Sequence, residues 1–484
     1  MSLARRIAKN AVLLSVSNVL SQLVYLVLII AVTRFMGDSG FGRFSFAVSF
    51  TSVFLFVADM GLSVLSTREV SRRHSLAPKY MGALLLLKAF ISLATFALIF
   101  FLSLLLDKPL ETKVAIWILA LYIILRSYRV VFVSIFRAFE RMEYEAVAIF
   151  LDRFIITVLG LLMLYSGHGL IMLAWSFPVA AIIVDIYLWR SISKARISPV
   201  LRIDLRFWKK LLLNSWPLAL SNSFTLLYYQ IGVILIGLWL SDAAVGWYNA
   251  ALQLSSSIVF IPRMFSLAVF PSFSSLYVSS KSTLKRVLFL SLKLMAALAL
   301  AIAVATTVLG KLFISIIYSP DFLPGLLPLR ILTWALVFIF TNQIFLNFLN
   351  ATNRENFVLL VSGGSLALNA LLSIILIPLI GFAGAAFALL ISSLAGFVAY
   401  SGYVFKNFFT LNYIKIFAGP FMASVLMGIL LFLLKNISLL ILVPLGAVSY
   451  FVFLFLVRGV SPDEMKIVKE ILSGALSGEF KTKT

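Results

Sequence analysis

The chain has 484 residues, of which 62% are hydrophobic, and it carries 40 Lys and Arg against 18 Asp and Glu. Apolar runs of about twenty residues recur along its length, which excludes a soluble fold and predicts an all-α polytopic membrane protein. The absence of Cys excludes disulfides and thiolate metal sites, so with only two His we predict no metal and no cofactor.

Fourteen transmembrane spans are predicted from the apolar runs and from the breaker and charge clusters between them. The first span follows a short basic leader and is too long for a signal peptide, so we expect an uncleaved helix. In chain order, the spans cover residues 11–35, 41–65, 79–106, 113–137, 144–165, 168–190, 211–240, 245–271, 286–310, 326–350, 356–380, 383–405, 414–434 and 437–457.

The sequence contains an internal duplication. Residues 17–60 and 221–264 align without a gap, and eleven of the 44 positions are identical, including polar and small residues such as Asp38/Asp242 and Gly42/Gly246. Six spans separate equivalent points, and because that number is even, both copies cross the membrane in the same direction. The predicted fold is therefore two six-helix lobes related by a pseudo-two-fold axis along the membrane normal.

The duplication and the charge pattern predict the domain boundaries. The longest polar break, between Arg190 and Lys210, carries seven Lys or Arg against one acid, Asp204, and joins the two copies. We predict an N-terminal lobe at 1–190, a basic cytoplasmic linker at 191–210, a C-terminal lobe at 211–405, appended helices 13 and 14 at 406–457, and a cytoplasmic tail at 458–484.

The basic residues predict the orientation of the chain. With a cytoplasmic N-terminus, the cytoplasmic segments hold 27 of the 40 Lys and Arg residues. This asymmetry predicts that both termini lie inside a cell membrane under the positive-inside rule. The net charge of +22 is spread over short loops beside helices, so we interpret it as topology and attraction to anionic membrane lipids, and predict no nucleic-acid partner.

Several stretches of the sequence carry a family resemblance. They include TRFMGDSGFGRFSFAVSF and FVADMGLSVLSTREVSRR between Ala4 and Arg73, and LSDAAVGWYNAALQL with IPRMFSLAVFPSFSSLY in the second copy. A basic turn follows an even-numbered helix twice, as FRAFERMEY from Phe136 and LNATNREN from Leu349. These stretches resemble the Wzx-type oligosaccharide flippases. That family belongs to the MATE-like multidrug/oligosaccharidyl-lipid/polysaccharide superfamily.

The resemblance implies a function. A flippase of this kind moves a lipid-linked oligosaccharide from the cytoplasmic to the outer leaflet, with its sugar and pyrophosphate passing between the lobes by alternating access. The partners would be the lipid-linked glycan, membrane lipids and glycan-assembly enzymes. The first alternative is a multidrug or organic-ion exporter of the same fold. The second is a membrane-embedded glycan polymerase or transferase.

An enzymatic function has little support in the sequence. There is no P-loop. The acids of the predicted outer loops are expected to be isolated from one another; they are Asp38, Asp107, Glu111, Asp242 and Asp321. We therefore predict that the protein is not an enzyme.

Charged residues inside predicted spans are the candidate functional residues, because a central Arg costs at least about 2.5 kcal/mol on insertion scales. Five of these candidate residues are in spans 3 to 5, and they comprise four bases and one acid, which suits an anionic passenger. The candidates for substrate binding are Lys88, Arg126, Arg129, Arg153 and Lys293. The candidates for a gate or charge pair are Asp59, Asp152 and Arg263; Asp185 is the remaining intramembrane charge.

Arg126 and Arg129 share one face of span 4 because they are three residues apart. Arg126 lies near the middle of the bilayer, where a guanidinium can bind a phosphate in bidentate fashion. The alternative is a structural pair between Arg126 and Asp152. Arg129 lies nearer the cytoplasm, so snorkelling to the membrane surface is its alternative.

The other candidates also keep alternatives. Asp152 and Arg153 are adjacent and point about 100° apart, so we expect one to face the cavity and the other a neighbouring helix. Lys88 and Lys293 occupy nearly equivalent places in the repeat, and snorkelling to the inner headgroups is the alternative for both.

Asp59 and Arg263 occupy equivalent positions of the ungapped repeat and have opposite charge. We predict that they form a latch on the cytoplasmic side that closes in the outward-facing state. The alternative is two unrelated charges near the inner membrane surface.

Overall fold

The computed structural model describes residues 3–435, 437–457 and 459, and their regular secondary structure is helical, with no strand. The side chains of 3–9, 11, 217, 218 and 220–223 are not described. Apart from Gly459, the predicted tail at 458–484 lies outside the described residues. The prediction of an all-α polytopic membrane protein is confirmed.

The helices follow the predicted spans closely. Short 3₁₀ helices at His74–Leu76 and Pro320–Gly325 precede two of them. The α-helices are α1 (Leu3–Val53), α2 (Leu55–Asp59), α3 (Leu62–Arg72), α4 (Ala77–Leu104), α5 (Leu110–Ala138), α6 (Met142–Tyr165), α7 (Leu170–Lys194), α8 (Leu205–Trp239), α9 (Asp242–Ser256), α10 (Phe260–Ser279), α11 (Lys281–Ile317), α12 (Leu326–Ala351), α13 (Glu355–Ile380), α14 (Ala383–Asn407), α15 (Tyr413–Leu433) and α16 (Leu439–Leu456).

Twelve segments of the described chain are long and apolar enough to cross a membrane. The first, Val12–Asp59, is 48 residues long and is interrupted at Gly37, whose φ of 69° only glycine adopts without strain. It therefore holds predicted spans 1 and 2. The shorter apolar helix Phe224–Trp239 lies in predicted span 7. When Val12–Asp59 is counted as two spans and Phe224–Trp239 as a further one, each of the fourteen predicted spans has a helical counterpart.

The two copies of the repeat also break at the same place. Span 2 is interrupted at Phe54, between α1 and α2, and span 8 is interrupted between α9 and α10 at 257–259. The 204-residue offset places Phe54 opposite Ile258, inside the second break. The first copy has a further break at Met60 and Gly61, whose φ values are 48° and 72°. The duplication thus extends from sequence to helix interruptions.

The two basic turns share one geometry. Glu140 and Asn353 both have left-handed backbones, with φ of 57° and 59°. In the first turn the Arg141 amide donates to Phe136 O at 2.9 Å, and in the second the Arg354 amide donates to Leu349 O at 2.9 Å. The two sequence motifs therefore form the same helix-terminating turn.

The described residues form two compact units: a first unit at Lys9–Gly246, and a second unit that combines residues 3–8 with the chain from Trp247 onward. In the first unit, α5 packs against α3, α4 and α7 around buried residues such as Leu84 and Ile135. The first unit includes α8, whereas the repeat assigns this helix to the C-terminal lobe. The lobe boundaries that we infer from the repeat therefore stay a prediction. The predicted linker is helix-free only at 195–204, where the Val200 amide donates to Pro78 O at 2.9 Å.

In the second unit, α11 packs against α12 and α15. The appended helices dock on α11, because Met427 of α15 and Leu442 of α16 join a cluster with Val304. The Tyr450 hydroxyl of α16 donates to Ala297 O of α11 at 2.8 Å. The appended pair therefore docks mainly on α11, and Phe397 of α14 also contacts Tyr413 and Phe417 of α15.

Candidate functional site

Three helices of the first unit, α5, α6 and α7, bring buried charges together. The Arg129 guanidinium lies 2.6 Å from an Asp152 carboxylate oxygen and 3.2 Å from Asp185 Oδ1. The Tyr122 hydroxyl donates to Asp152 Oδ2 at 3.0 Å. One cation is thus shared by two carboxylates from neighbouring helices, and we call these four residues the carboxylate cluster.

Arg129 is a fixed part of this cluster. Only 8% of its surface is exposed, so it is buried between the two aspartates and does not snorkel. Its Nη2 and Asp185 Oδ2 are buried without a hydrogen-bond partner among the described residues. An isolated charge at this depth would be costly, and the ion pairs offset that cost while tying α5 to α6 and α7.

Lys88 is neutralised in a second buried pair. Its side chain is fully buried, and its Nζ donates to Asp59 at 2.8 Å and to Ser127 O at 2.8 Å. The Ser63 hydroxyl donates to the other Asp59 oxygen at 2.7 Å. In this structure Asp59 is therefore engaged by Lys88, and Lys88 is held inside the protein without reaching the headgroups.

Arg126 has different surroundings. It is half-buried on the α5 face that also carries Tyr122 and Arg129, and it forms no ion pair or hydrogen bond with any described residue. Asp152, the alternative partner considered from the sequence, pairs with Arg129 instead. The guanidinium donors of Arg126 therefore remain available to a ligand or to water.

Arg153 of α6 also lacks a carboxylate partner among the described residues, and its side chain is hydrogen-bonded to Tyr25 of α1. Its guanidinium lies over the Tyr25 ring of α1, 4.3 Å from the ring centroid. Asp152 points instead toward α5, so the two adjacent side chains diverge as expected. A cation–π contact uses the face of the guanidinium and leaves donors at its edge.

The second unit contains basic residues but few acids to pair with them. Lys293 on α11 is buried, with its Nζ 5.7 Å from the Phe289 ring centroid, and Arg263 on α10 is exposed. Between Trp247 and Val457 the sequence holds only two acids, Asp321 and Glu355, and both lie at helix ends. The membrane-embedded ion pairs that the described structure contains are in the first unit.

Sequence reasoning missed the two tyrosines of this site. Tyr122 lies four residues before Arg126 and seven before Arg129, so the spacing could have placed it on their face. Tyr25 is one of the identical positions of the repeat, paired with Tyr229. Its repetition was a usable signal, but the contact with Arg153 depends on the packing of α1 against α6.

A further ion cluster at the predicted outer helix ends corrects one expectation. Arg43 lies 3.1 Å from Glu111 and 3.3 Å from Asp242, and Lys108 lies 2.6 Å from Asp242. The prediction that Glu111 and Asp242 are isolated is wrong. The helix ends that carry them converge in the first unit, which a span-by-span reading cannot show.

Comparison with known proteins decides the family. The profile of the family described as polysaccharide biosynthesis protein matches residues 7–277, and the MatE profile matches residues 217–375. This chain belongs to the polysaccharide biosynthesis protein family. The first match covers more than half of the chain, including the carboxylate cluster, Arg126 and Arg153.

Similar proteins of known sequence or structure support this family and this fold. The probable flippase AglR of Haloferax volcanii is 24% identical over 363 residues, covering 72% of this chain and 74% of AglR. The lipid II flippase MurJ in its inward closed conformation superposes with a TM-score of 0.74 at 17% identity, covering 92% and 99% of the two chains. An inward-facing multidrug resistance MATE transporter gives 0.59 at 15% identity, covering 84% and 96%.

Proposed function

We propose that this protein is a flippase that moves a lipid-linked oligosaccharide of the polyprenyl or dolichyl pyrophosphate type from the cytoplasmic to the outer leaflet by alternating access. The observation that carries the proposal is the pair Arg126 and Arg153, two membrane-embedded arginines without a carboxylate partner among the described residues. The substrate's pyrophosphate supplies the negative charge that these side chains lack.

The ion pairs distinguish residues that stabilise the helix packing from residues that can contact the substrate. Arg129 and Lys88 are each bound to carboxylates inside the protein. The Arg129 ion pairs and the Lys88 hydrogen bond to Ser127 O fix α5, the helix that carries Arg126. Arg126 keeps its donors free, Arg153 has donors beyond its hydrogen bond with Tyr25, and both guanidinium groups can bind phosphate oxygens in bidentate fashion. Among the candidates for substrate binding, we therefore assign direct contact to Arg126 and Arg153, and positioning to Arg129 and Lys88. For Lys293, direct contact stays a prediction.

The functions of the relatives support this class of substrate. AglR is a probable flippase, and MurJ is a lipid II flippase. The fold is shared with multidrug transporters, so an organic-ion exporter is the second candidate. An organic cation, however, would meet two arginines that have no compensating carboxylate. We also propose that the protein contacts glycan-assembly enzymes and that both of its termini are cytoplasmic.

Reconstitution of the purified protein in liposomes with a defined lipid-linked glycan tests the function. We expect the unchanged glycan to appear on the opposite leaflet. Arg126→Ala should reduce the rate of translocation at least about tenfold, because loss of a charge-assisted hydrogen bond costs about 1.5–3 kcal/mol. Arg126→Lys should recover only part of the rate, since an ammonium cannot bind in bidentate fashion.

The control variant is Arg354→Ala, which removes an arginine from a basic turn. This arginine is outside the charge network of the first unit, by which we mean the carboxylate cluster and the Lys88–Asp59 pair. The control variant should translocate glycan at the wild-type rate. Wild-type transport by Arg126→Ala would remove the phosphate contact assigned to Arg126. Transport of organic cations without glycan movement would instead support the exporter.

The latch between Asp59 and Arg263 also stays a proposal. Because Asp59 is bound to Lys88 at 2.8 Å, closing the latch requires Asp59 to exchange one cation for another during the cycle. Disulfide formation in an Asp59→Cys/Arg263→Cys double variant of this cysteine-free chain is the measurement. If no cross-link forms in any transport condition, the latch is wrong.

A further inference from the structure

A cavity of about 760 Å³ lies at the beginning of α11, in the second unit. On one side it is lined by Ser282, Lys285, Arg286 and Phe289 of α11. On the other side it is lined by residues 410–414, which lead into α15. The cavity is therefore formed where two membrane helices begin at the same surface of the unit.

The polar part of this cavity is positively charged. Lys285 and Arg286 are exposed, and neither forms an ion pair with the acids of the described chain. Lys281 lies one helical turn before Lys285, and Lys415 follows the cavity lining in the first turn of α15. The lining contains no acid. Cationic side chains gathered without an acid favour an anionic ligand.

The remainder of the lining is apolar. Phe289 and Leu411 contribute buried or half-buried surface, and Ile414 is 77% exposed. An exposed isoleucine next to two cationic side chains suits a ligand with both an anionic group and a hydrocarbon part. A soluble phosphate would use only the charged half of the cavity.

We propose that this cavity binds an anionic phospholipid of the surrounding bilayer. The lipid phosphate contacts Lys285 and Arg286, and the first acyl methylenes lie against Phe289 and Ile414. The bound lipid bridges α11 and the appended helix α15, so it stabilises the docking of the appended pair. This site is independent of the flippase function, because none of its residues belongs to the charge network of the first unit.

Lipid binding to the full-length protein provides the test. The purified protein is titrated with phosphatidylglycerol and, separately, with phosphatidylcholine, and bound lipid is measured by native mass spectrometry. We expect phosphatidylglycerol to bind preferentially. Lys285→Gln/Arg286→Gln should bind it about thirtyfold more weakly, because each basic residue near a membrane surface contributes about fivefold.

Lys406→Gln is the matched control. Lys406 is an exposed basic residue in the last turn of α14, outside the cavity lining, and its replacement should leave phosphatidylglycerol binding unchanged. Equal binding by the double variant and the wild type would overturn the proposal. Displacement of the lipid by millimolar inorganic phosphate would identify a site for soluble anions instead. Preferential capture of an isoprenoid diphosphate through Lys285 and Arg286 would make the cavity a substrate site and would also overturn it.

The unfolding temperature is a second measurement, and it distinguishes loss of lipid binding from general destabilisation of the protein. Phosphatidylglycerol should raise the unfolding temperature of the wild type and of Lys406→Gln, but not that of the double variant. Since both replaced side chains are exposed, all three proteins should unfold at the same temperature in phosphatidylcholine alone. Failure of glycan flipping in the reconstitution assay would leave these expectations unchanged.

Discussion

Arg126 and Arg129 lie on one face of α5, three residues apart, yet their surroundings are opposite. Arg129 is buried between two aspartates, and Arg126 has no ion pair in the described structure. The difference arises because α6 and α7 present their carboxylates at the level of Arg129. One arginine therefore stabilises the helix packing, and the other keeps its donors free.

This difference predicts opposite effects on stability. Arg129→Ala leaves two buried carboxylates without a cation, so it should lower the free energy of unfolding by about 3–5 kcal/mol. Arg126→Ala breaks no ion pair and should change it by less than about 1 kcal/mol. The measurement is the unfolding temperature of each purified variant in detergent. Equal destabilisation by both variants would contradict the division of roles.

Sequence reasoning found the charged residues of the site but not their partners. Burial depth and charge can be read from position within an apolar span, and this placed Arg126, Arg129 and Lys88 among the candidates. Partner choice depends on the rotation of each helix about its axis, which spans alone do not determine. The repeat relates Asp59 to Arg263, but equivalence is not contact, and the side chain that binds Asp59 is Lys88.

At the scale of helices, Gly42 and Gly246 have a role that the sequence did not indicate. A Cβ at Gly42 would lie 1.7 Å from Asp242 O, and a Cβ at Gly246 would lie 2.2 Å from Asp38 O. All four residues belong to the first unit. The contacts are reciprocal, as expected at a local two-fold axis. The repeated glycines thus form a close helix contact, and the kink that precedes Gly42 is at Gly37.

Gly42→Ala should therefore be destabilising by about 1–3 kcal/mol or more, because a methyl group cannot fit against the Asp242 carbonyl without moving the backbone. Gly402→Ala in α14 is the control, since nothing lies within 4 Å of its added Cβ. It should be neutral or stabilising by about 0.5–1 kcal/mol. Unfolding temperatures measure both, and an unchanged value for Gly42→Ala would rule out the close contact.

At the scale of the whole chain, sequence patterns predict the architecture well because the bilayer restricts a spanning chain to few structures. Length and apolar content determined the spans, and the recurring helix interruptions became visible only in the structure. The compact units were harder to predict. They depend on how α8 and the start of α9 pack, as seen where Asp242 joins Arg43 and Lys108 in the first unit.

The predicted orientation is tested with single cysteines, since the chain has none of its own. Ser166 and Ser198 are exposed and lie beyond opposite ends of α7. The positive-inside rule places the basic segment that contains Ser198 in the cytoplasm. A membrane-impermeant maleimide applied to intact cells should therefore label Ser166→Cys and should label Ser198→Cys only after lysis. The reverse pattern would place Arg190 to Lys210 outside, against the charge asymmetry, and would reverse the direction of transport that we propose.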